Sequence, residues 1–311
     1  MIFTVTLNPA ADNTLTVPNF RAGEVNRATE VRFDPGGKGI NVSKALNAMG
    51  IANVAMGLLG GSAGDAIESA LKEMGIETDF VRISGSTRTN TKVIDPESGL
   101  TTDLNTPGPE VTQEELEAFK AKLKSVVHGG DTVIFSGSLP AGVPEDSYKD
   151  LVQMCRSKAA KTILDTSGPA LKAAMAARPY FIKPNVEELQ AIVEHSPDVA
   201  QEVVRAARVL SLESGAYVLA SMGKNGAVLI QGRQALYATA PEVQVNSTVG
   251  AGDAMVAALA AADMNGMEHE DLLRFAVAAG SAAAAMPGSS CGDIGDVLYL
   301  TDKVICAPLL G

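Results

Sequence analysis

Short apolar runs and helical patterns alternate along nearly the whole chain, and this alternation restricts the fold more than any other feature. The runs at 4–7, 54–58, 80–83, 132–136, 162–165, 180–182 and 217–221 are brief and apolar at successive positions. A strand that is apolar on both faces is buried on both, as in a parallel sheet covered by helices. Between the runs, residues 41–49, 66–74, 113–126, 148–156, 187–193 and 199–212 carry helical periodicity. Repeated β–α order predicts a layered α/β domain with right-handed crossovers.

Two segments break the rhythm. Residues 12–33 and 87–106 are polar, rich in β-branched side chains and without a helical period. They read as strands of a small second sheet inserted into a main domain made of 1–11, 34–86 and 107–311. Such a sheet at the edge of an active site would serve as a lid; ordinary long hairpins are the plainer alternative.

Composition excludes several classes of function. The formal net charge is −11 over 311 residues, and Trp is absent. The surface as a whole would repel a phosphate polymer, and aromatic platforms for single-stranded nucleic acid are lacking. Small anions need only a local pocket of cations and backbone N–H groups. Cys155, Cys291 and Cys306 stand far apart, which fits reduced thiols in a cytoplasmic protein better than a disulfide or zinc framework. The chain carries no signal-peptide pattern and no apolar stretch long enough for a membrane span.

In open parallel sheets, ligands bind beyond the carboxyl ends of the strands, so the loops there are the first to inspect. Gly250-Ala251-Gly252-Asp253 follows the strand-like Val243-Gln244-Val245 and opens a helical stretch at 254–262. Small residues admit a phosphate to the N–H groups of a first helical turn. A carboxylate there would repel a phosphate but could take a proton from an attacking hydroxyl. A tight turn with a favourable helix-start charge explains the same residues. Lys183-Pro184-Asn185-Val186-Glu187-Glu188 contains Asn185 and Glu188 at capping-box spacing. The same pair could organise a hydrated Mg²⁺, which keeps several waters and few protein ligands. Ser221-Met222-Gly223-Lys224-Asn225-Gly226 is either a nucleotide-holding turn or a hairpin. Gly36-Gly37-Lys38-Gly39-Ile40-Asn41 matches neither a Walker A loop nor a dinucleotide fingerprint; it suits a polyhydroxy or phosphorylated ligand, or is a mobile turn. Arg27, Lys38 and Arg88 are the basic residues with a plausible task, and an arginine fork matches a phosphate. His128, His195 and His269 show no metal spacing and receive no role.

Taken together, these segments resemble the PfkB, or ribokinase-like, sugar kinases over essentially the whole chain. The resemblance rests on 36–43, on Ser136-Gly137-Ser138-Leu139-Pro140, on the Asn185/Glu188 pair and on 247–255, all in the family's order. It implies a three-layer αβα domain with a mainly parallel sheet and a small β-sheet lid, and it implies ATP and Mg²⁺. It makes Asp253 the base, and Gly250, Ala251 and Gly252 the anion hole for the transferred phosphoryl group. Nucleotide contacts carry over to Lys183, Asn185, Ser221, Gly223 and Gly226, with Asn185 and Glu188 holding the metal through water. Sugar contacts carry over to Asp12, Gly37, Asn41 and Ser138. Many members pair through their lids, which implies a homodimer.

Within the family, Thr6-Leu7-Asn8-Pro9-Ala10, Asp12, Arg88-Thr89-Asn90 and the Ser136–Pro140 segment are similar to the phosphosugar branch. That branch includes 1-phosphofructokinases, tagatose-6-phosphate kinases and minor-type 6-phosphofructokinases. Arg88 would then grip the phosphate already on the substrate, and Lys38 and Asn90 would join the other substrate contacts; Lys38 is less telling, because kinases of neutral sugars are similar to this sequence there too. Thr102-Asp103-Leu104-Asn105 is similar to the lid of 1-phosphofructokinases, whereas minor 6-phosphofructokinases carry an arginine near the place of Asp103. The resemblance therefore favours transfer to the 6-hydroxyl of fructose 1-phosphate, with tagatose 6-phosphate next. A non-catalytic sugar-phosphate sensor would not need Asp253, and a dinucleotide oxidoreductase would need a glycine fingerprint where Asn8-Pro9-Ala10 stands. A nucleoside kinase of the same fold would not need Arg88.

Overall fold

The computed structural model describes residues 1–193 and 200–309. The chain begins in a main sheet with β1 (Ile2–Thr6), then leaves it for β2 (Ala10–Thr16) and β3 (Glu30–Gly36). Helix α1 (Lys38–Ala48) leads back to β4 (Asn53–Leu59), α2 (Gly61–Glu73) and β5 (Glu77–Arg82). Strands β6 (Arg88–Asp95) and β7 (Leu100–Leu104) complete the second sheet. Then come α3 (Gln113–Val126), β8 (Thr132–Ser136), α4 (Ser147–Ser157), β9 (Lys161–Asp165), α5 (Gly168–Met175), β10 (Phe181–Ile182) and α6 (Val186–Val193). The last part holds α7 (Ala200–Ser214), β11 (Tyr217–Ser221), β12 (Ala227–Gln231), β13 (Gln234–Ala238), α8 (Ala251–Met264), α9 (His269–Ala284), α10 (Ile294–Thr301) and β14 (Cys306–Pro308). Two sequence readings, His195 and the first residue of the 199–212 helix, lie outside the described residues.

The main sheet runs β14-β13-β12-β11-β10-β9-β8-β1-β4-β5. Every pairing from β11 to β5 is parallel, and β12, β13 and β14 are antiparallel. Side-chain alternation sends Phe3 and Val5 of β1 to one face and Ile2 to the other. The first face packs against α3, α4, α5 and α7 through Phe119, Tyr148, Leu171 and Leu210. The second packs against α1, α8 and α9 through Leu46, Leu259 and Val277. Two cores on opposite faces of one sheet make three layers. Helix α8 is buried at every position from Ala254 to Ala262, as a helix apolar all round must be.

The second sheet has the order β3-β2-β6-β7, so both polar segments contribute to it. Two local expectations differ. Val243-Gln244-Val245 is not a strand, and Val245 is exposed. Its alternation looks strand-like, but β14 already pairs with that edge of β13. Helix α1 begins at Lys38 rather than Asn41. Gly39 permits this, because a Cβ there would collide with Thr6 Oγ1.

One glycine sets how closely β4 approaches β1. Gly57 lies opposite Thr6 with φ +147°, and a Cβ on it would overlap the Thr6 carbonyl oxygen. Gly57→Ala is expected to destabilise the fold by about 1–3 kcal/mol through strain and overpacking. Urea unfolding of the variant beside the parent measures this; an unchanged midpoint would contradict the close approach.

Candidate active site

The carboxyl ends of β1, β8, β9, β10 and β11 open onto one region, and the amino end of α8 faces it. Gly250 turns the chain into α8 with φ +82°, a left-handed conformation that glycine adopts without strain. No side chain caps this helix. Among the described residues, no acceptor pairs with the N–H groups of Gly252 or Asp253. Free N–H groups and the helix dipole together favour an anion. The Lys183 ammonium borders the same space: a Cβ on Gly252 would lie 3.3 Å from its Nζ.

Asp253, the third residue of α8, is 6% exposed. Its Oδ2 accepts a hydrogen bond of 2.9 Å from Asn41 Nδ2 on α1. Burial, and then the nearby Asp165 carboxylate, push its pKa up to about 6 against the opposing pull of Asn41, Lys38 and Lys183. Asp165 ends β9 and is fully buried. Its Oδ1 lies 3.3 Å from Lys38 Nζ and 3.4 Å from Lys183 Nζ, and Ser136 Oγ donates to its Oδ2 at 3.2 Å. Burial opposes its ionisation, yet the two ammoniums outweigh burial and hold its pKa below the usual range. Lys38 also reaches Glu188 Oε1 at 3.4 Å. Burial lowers the pKa of Lys38, but Asp165, Glu188 and Asp253 more than reverse it, so Lys38 stays charged.

A second group of residues gathers where β2 meets β6. Asp12 Oδ1 accepts from Asn90 Nδ2 at 2.9 Å, and burial raises the Asp12 pKa despite Asn90 and Arg88. The Arg88 guanidinium, half-buried, donates to the carbonyls of Asn8 and Thr106, both at 3.2 Å. Its Nε is buried and has no partner among the described residues. Asn8 Nδ2 reaches the exposed Ser138 Oγ at 3.3 Å. Gly37, at φ +116°, packs on Thr6 and Pro9 at the start of α1. A cleft of about 750 Å³ separates the second sheet, at Asp12, Asn90 and Asp103, from the Ser247–Val249 and Pro287–Ser289 segments that flank Gly250. Arg27 is exposed, in the turn between β2 and β3.

On the far side of Lys183, Asn185 Oδ1 accepts from the Glu188 N–H at 2.7 Å, and Glu188 Oε2 accepts from the Asn185 N–H at 3.0 Å. The capping box is therefore present. Asn185 also bridges to Ser221. Gly223 opens a 3₁₀ turn, and Gly226 (φ +88°) lies so close to Ala238 that a Cβ would overlap its carbonyl oxygen. The turn forms a hairpin between β11 and β12, and it is joined to the segment before α6 through the Ser221–Asn185 bridge and the Ser221 N–H bond to the Pro184 carbonyl. Among the described residues no group of three or more His, Cys, Asp or Glu could enclose a metal. The Glu188 carboxylate is already shared between a backbone N–H and Lys38, so this donor set fits Mg²⁺ held through water, not a cage of direct ligands.

Sequence reasoning passed over Asp165 and Asn8. Asp165 had a usable signal, an acidic residue at the carboxyl end of an apolar strand just before Thr166-Ser167-Gly168. Asn8 stands in the Thr6–Ala10 motif, but no role follows from that segment alone, because its partners Ser138 and Arg88 are far away in sequence.

Comparison with known proteins places the chain in a definite group. The family described as pfkB family carbohydrate kinase matches residues 6–292. A 1-phosphofructokinase of Rhodobacter capsulatus is 42% identical over 278 residues, covering 89% of this chain and 88% of that protein. A 1-phosphofructokinase of Borreliella burgdorferi is 38% identical over 293 residues, covering 94% of each. Phosphofructokinase-2 from Escherichia coli, solved in complex with potassium, superposes with a TM-score of 0.92 at 30% identity, covering 97% of this chain and 98% of that one.

The raised pKa of Asp253 links the site to stability. A carboxyl that holds its proton more tightly when folded stabilises the native state at low pH, and that contribution is lost as pH rises through about 6. Asp253→Asn removes the buried charge, so its stability relative to the parent should improve between pH 4 and pH 7 by on the order of 1–3 kcal/mol. Thermal melts across that range provide the check; a difference independent of pH would mean that Asp253 ionises as a solvated carboxylate does.

Proposed function

The chain belongs to the pfkB family of carbohydrate kinases, and from that premise we propose that it transfers the γ-phosphoryl group of ATP to the 6-hydroxyl of fructose 1-phosphate, giving fructose 1,6-bisphosphate. The observation that carries the kinase reading is Asp253, a buried carboxylate on the uncapped first turn of α8 with lysines beside it. The choice of fructose 1-phosphate rests on relatives named 1-phosphofructokinase that match nearly the whole chain.

In this reading Asp253 takes the hydroxyl proton while the phosphoryl oxygens rest on the amino end of α8 at Gly250, Ala251 and Gly252, where the Gly252 N–H has no acceptor among the described residues and the Ala251 N–H would give up its 3.4 Å contact with the Thr248 carbonyl. Lys183, next to Gly252, adds positive charge where the transferred group passes. Arg88 holds the phosphate that the sugar brings, Asp12, Lys38, Asn90, Asn41 and Gly37 contact the sugar, and Ser138 closes that side. Asn185, Ser221, Gly223 and Gly226 border the nucleotide. Asn185 and Glu188 would hold Mg²⁺ through water, and the ion would offset charge on the nucleotide phosphates. The second sheet, 12–33 with 87–106, closes over the cleft and excludes water that would hydrolyse ATP.

A homodimer through the second sheets accompanies this reading. Val31 on β3 and Leu100 and Leu104 on β7 are 66%, 68% and 57% exposed, apolar surface that a partner sheet would cover. The three unpaired cysteines fit a reducing cytoplasm.

A substrate panel tests the assignment: ATP consumption with fructose 1-phosphate, tagatose 6-phosphate, fructose 6-phosphate, free fructose and adenosine. The expected outcome is the highest kcat/KM for fructose 1-phosphate. Preference for tagatose 6-phosphate would favour the next alternative, and preference for fructose 6-phosphate would favour a 6-phosphofructokinase, to which the likeness to phosphofructokinase-2 points. Asp253→Asn should retain ATP binding and lose about 100- to 10,000-fold in turnover. In the parent, kcat/KM should fall with acid below about pH 6, because the base must be ionised. Near-normal turnover in Asp253→Asn would remove it from the role of base.

A further inference from the structure

The base is held by one amide, and the orientation of that amide has its own cause. Lys44 lies three residues after Asn41 on α1, on the same side of the helix. Its Nζ stands 2.9 Å from Ser289 Oγ, 3.3 Å from the Pro35 carbonyl and 3.4 Å from Asn41 Oδ1. An ammonium can only donate. Asn41 therefore presents its oxygen to Lys44 and its NH₂ to the Asp253 carboxylate. The reversed amide would set oxygen against carboxylate and NH₂ against ammonium, opposing both contacts.

The other two contacts widen the reach of this cation. Ser289 rests on the turn into α8: a Cβ on Gly250 would lie 3.6 Å from Ser289 Cα. Pro35 is the next-to-last residue of β3, where the second sheet joins α1. One cation thus touches the partner of the base, the loop against the anion hole, and the root of the second sheet.

We propose that Lys44 is a positioning residue for phosphoryl transfer, holding Asn41 in the orientation that aligns Asp253 while tethering the Ser289 loop and the end of β3 to the same point. The proposal rests on the kinase reading with Asp253 as base. Asp253 is faced by Asp165, Lys38 and Lys183 as well as by Asn41. Lys44 is faced by Asp34 and Asp12 of the second sheet, by Cys291 and by Asp253, and burial lowers its pKa against them. Without Lys44, Asp253 loses a nearby positive charge and Asn41 is free to turn its oxygen toward it. Both changes make Asp253 harder to ionise.

The test compares full-length Lys44→Met, Lys44→Arg and Asp253→Asn with the parent across pH, using the best substrate of the panel. For Lys44→Met the expected result is a loss of about 10- to 100-fold in kcat, as for a misplaced reacting group. The acid limb of kcat/KM should move to higher pH, KM for ATP should change little, and Lys44→Arg should recover most of kcat. Thermal melts establish folding, and Lys44→Gln replaces the Met variant if that one does not fold. A folded variant that keeps kcat, or one that loses kcat with the acid limb unmoved, overturns the proposal. The two readings fail separately. Normal turnover in Asp253→Asn refutes the base, whereas an inactive Asp253→Asn beside an unaffected Lys44→Met refutes only the role of Lys44.

Discussion

Two carboxylates, Asp165 and Asp253, are buried together at the carboxyl ends of the parallel strands, and the surrounding residues answer that constraint. An unaccompanied buried charge costs several kcal/mol, and two of like sign cost more. Lys38 and Lys183 offset the pair, but Lys38 is shared with Glu188. Three acids thus face two lysines. The shortfall falls on Asp253, because both ammoniums lie against Asp165 while Asp253 has a neutral amide as its direct partner. A carboxyl poised near neutral pH follows from that arrangement, without any unusual residue.

The fold supplies the convergence. Parallel strands end on the same side, so Thr6, Ser136, Asp165 and Ser221 come together although they are far apart in the chain. α8 contributes the opposite wall. It is apolar and buried on every side from Ala254 to Ala262, which leaves its first turn as the polar part at this end. α1 packs beside it and delivers Asn41 and Lys38 from successive turns. The glycine at 39 lets this helix start against β1, so both polar side chains arise where the strands end.

What could be read from the sequence was what is contiguous in it. Asp253 with its small neighbours, Asn185 with Glu188, and Lys38 with Asn41 each occupy a single short segment, where the local chemistry implied a turn, a cap or a helix start. Asp165 meets Lys38, and Lys44 meets Ser289, across more than a hundred residues, and no local pattern encodes those two pairings. Val243-Gln244-Val245 failed for a related reason, since whether an alternating segment becomes a strand depends on a free sheet edge, and β14 holds that edge.

The second sheet is attached differently from the helices. Its contacts across the cleft are polar: Lys44 to the Pro35 carbonyl, and Arg32, paired with Asp34 at 2.8 Å, lying against Gly288. Its own core is slight, with Ala11 buried against α1 and α2. Moving such a sheet exposes little apolar surface, so the opposing hydrophobic term is small. The polar contacts can exchange with water at modest net cost. A chain with net charge −11 must still admit phosphorylated ligands. It can do so because Lys38 and Lys183 stand against Asp165, with Lys183 beside Gly252 at the start of α8, where water is partly excluded and short-range attraction outweighs the field of the distant surface.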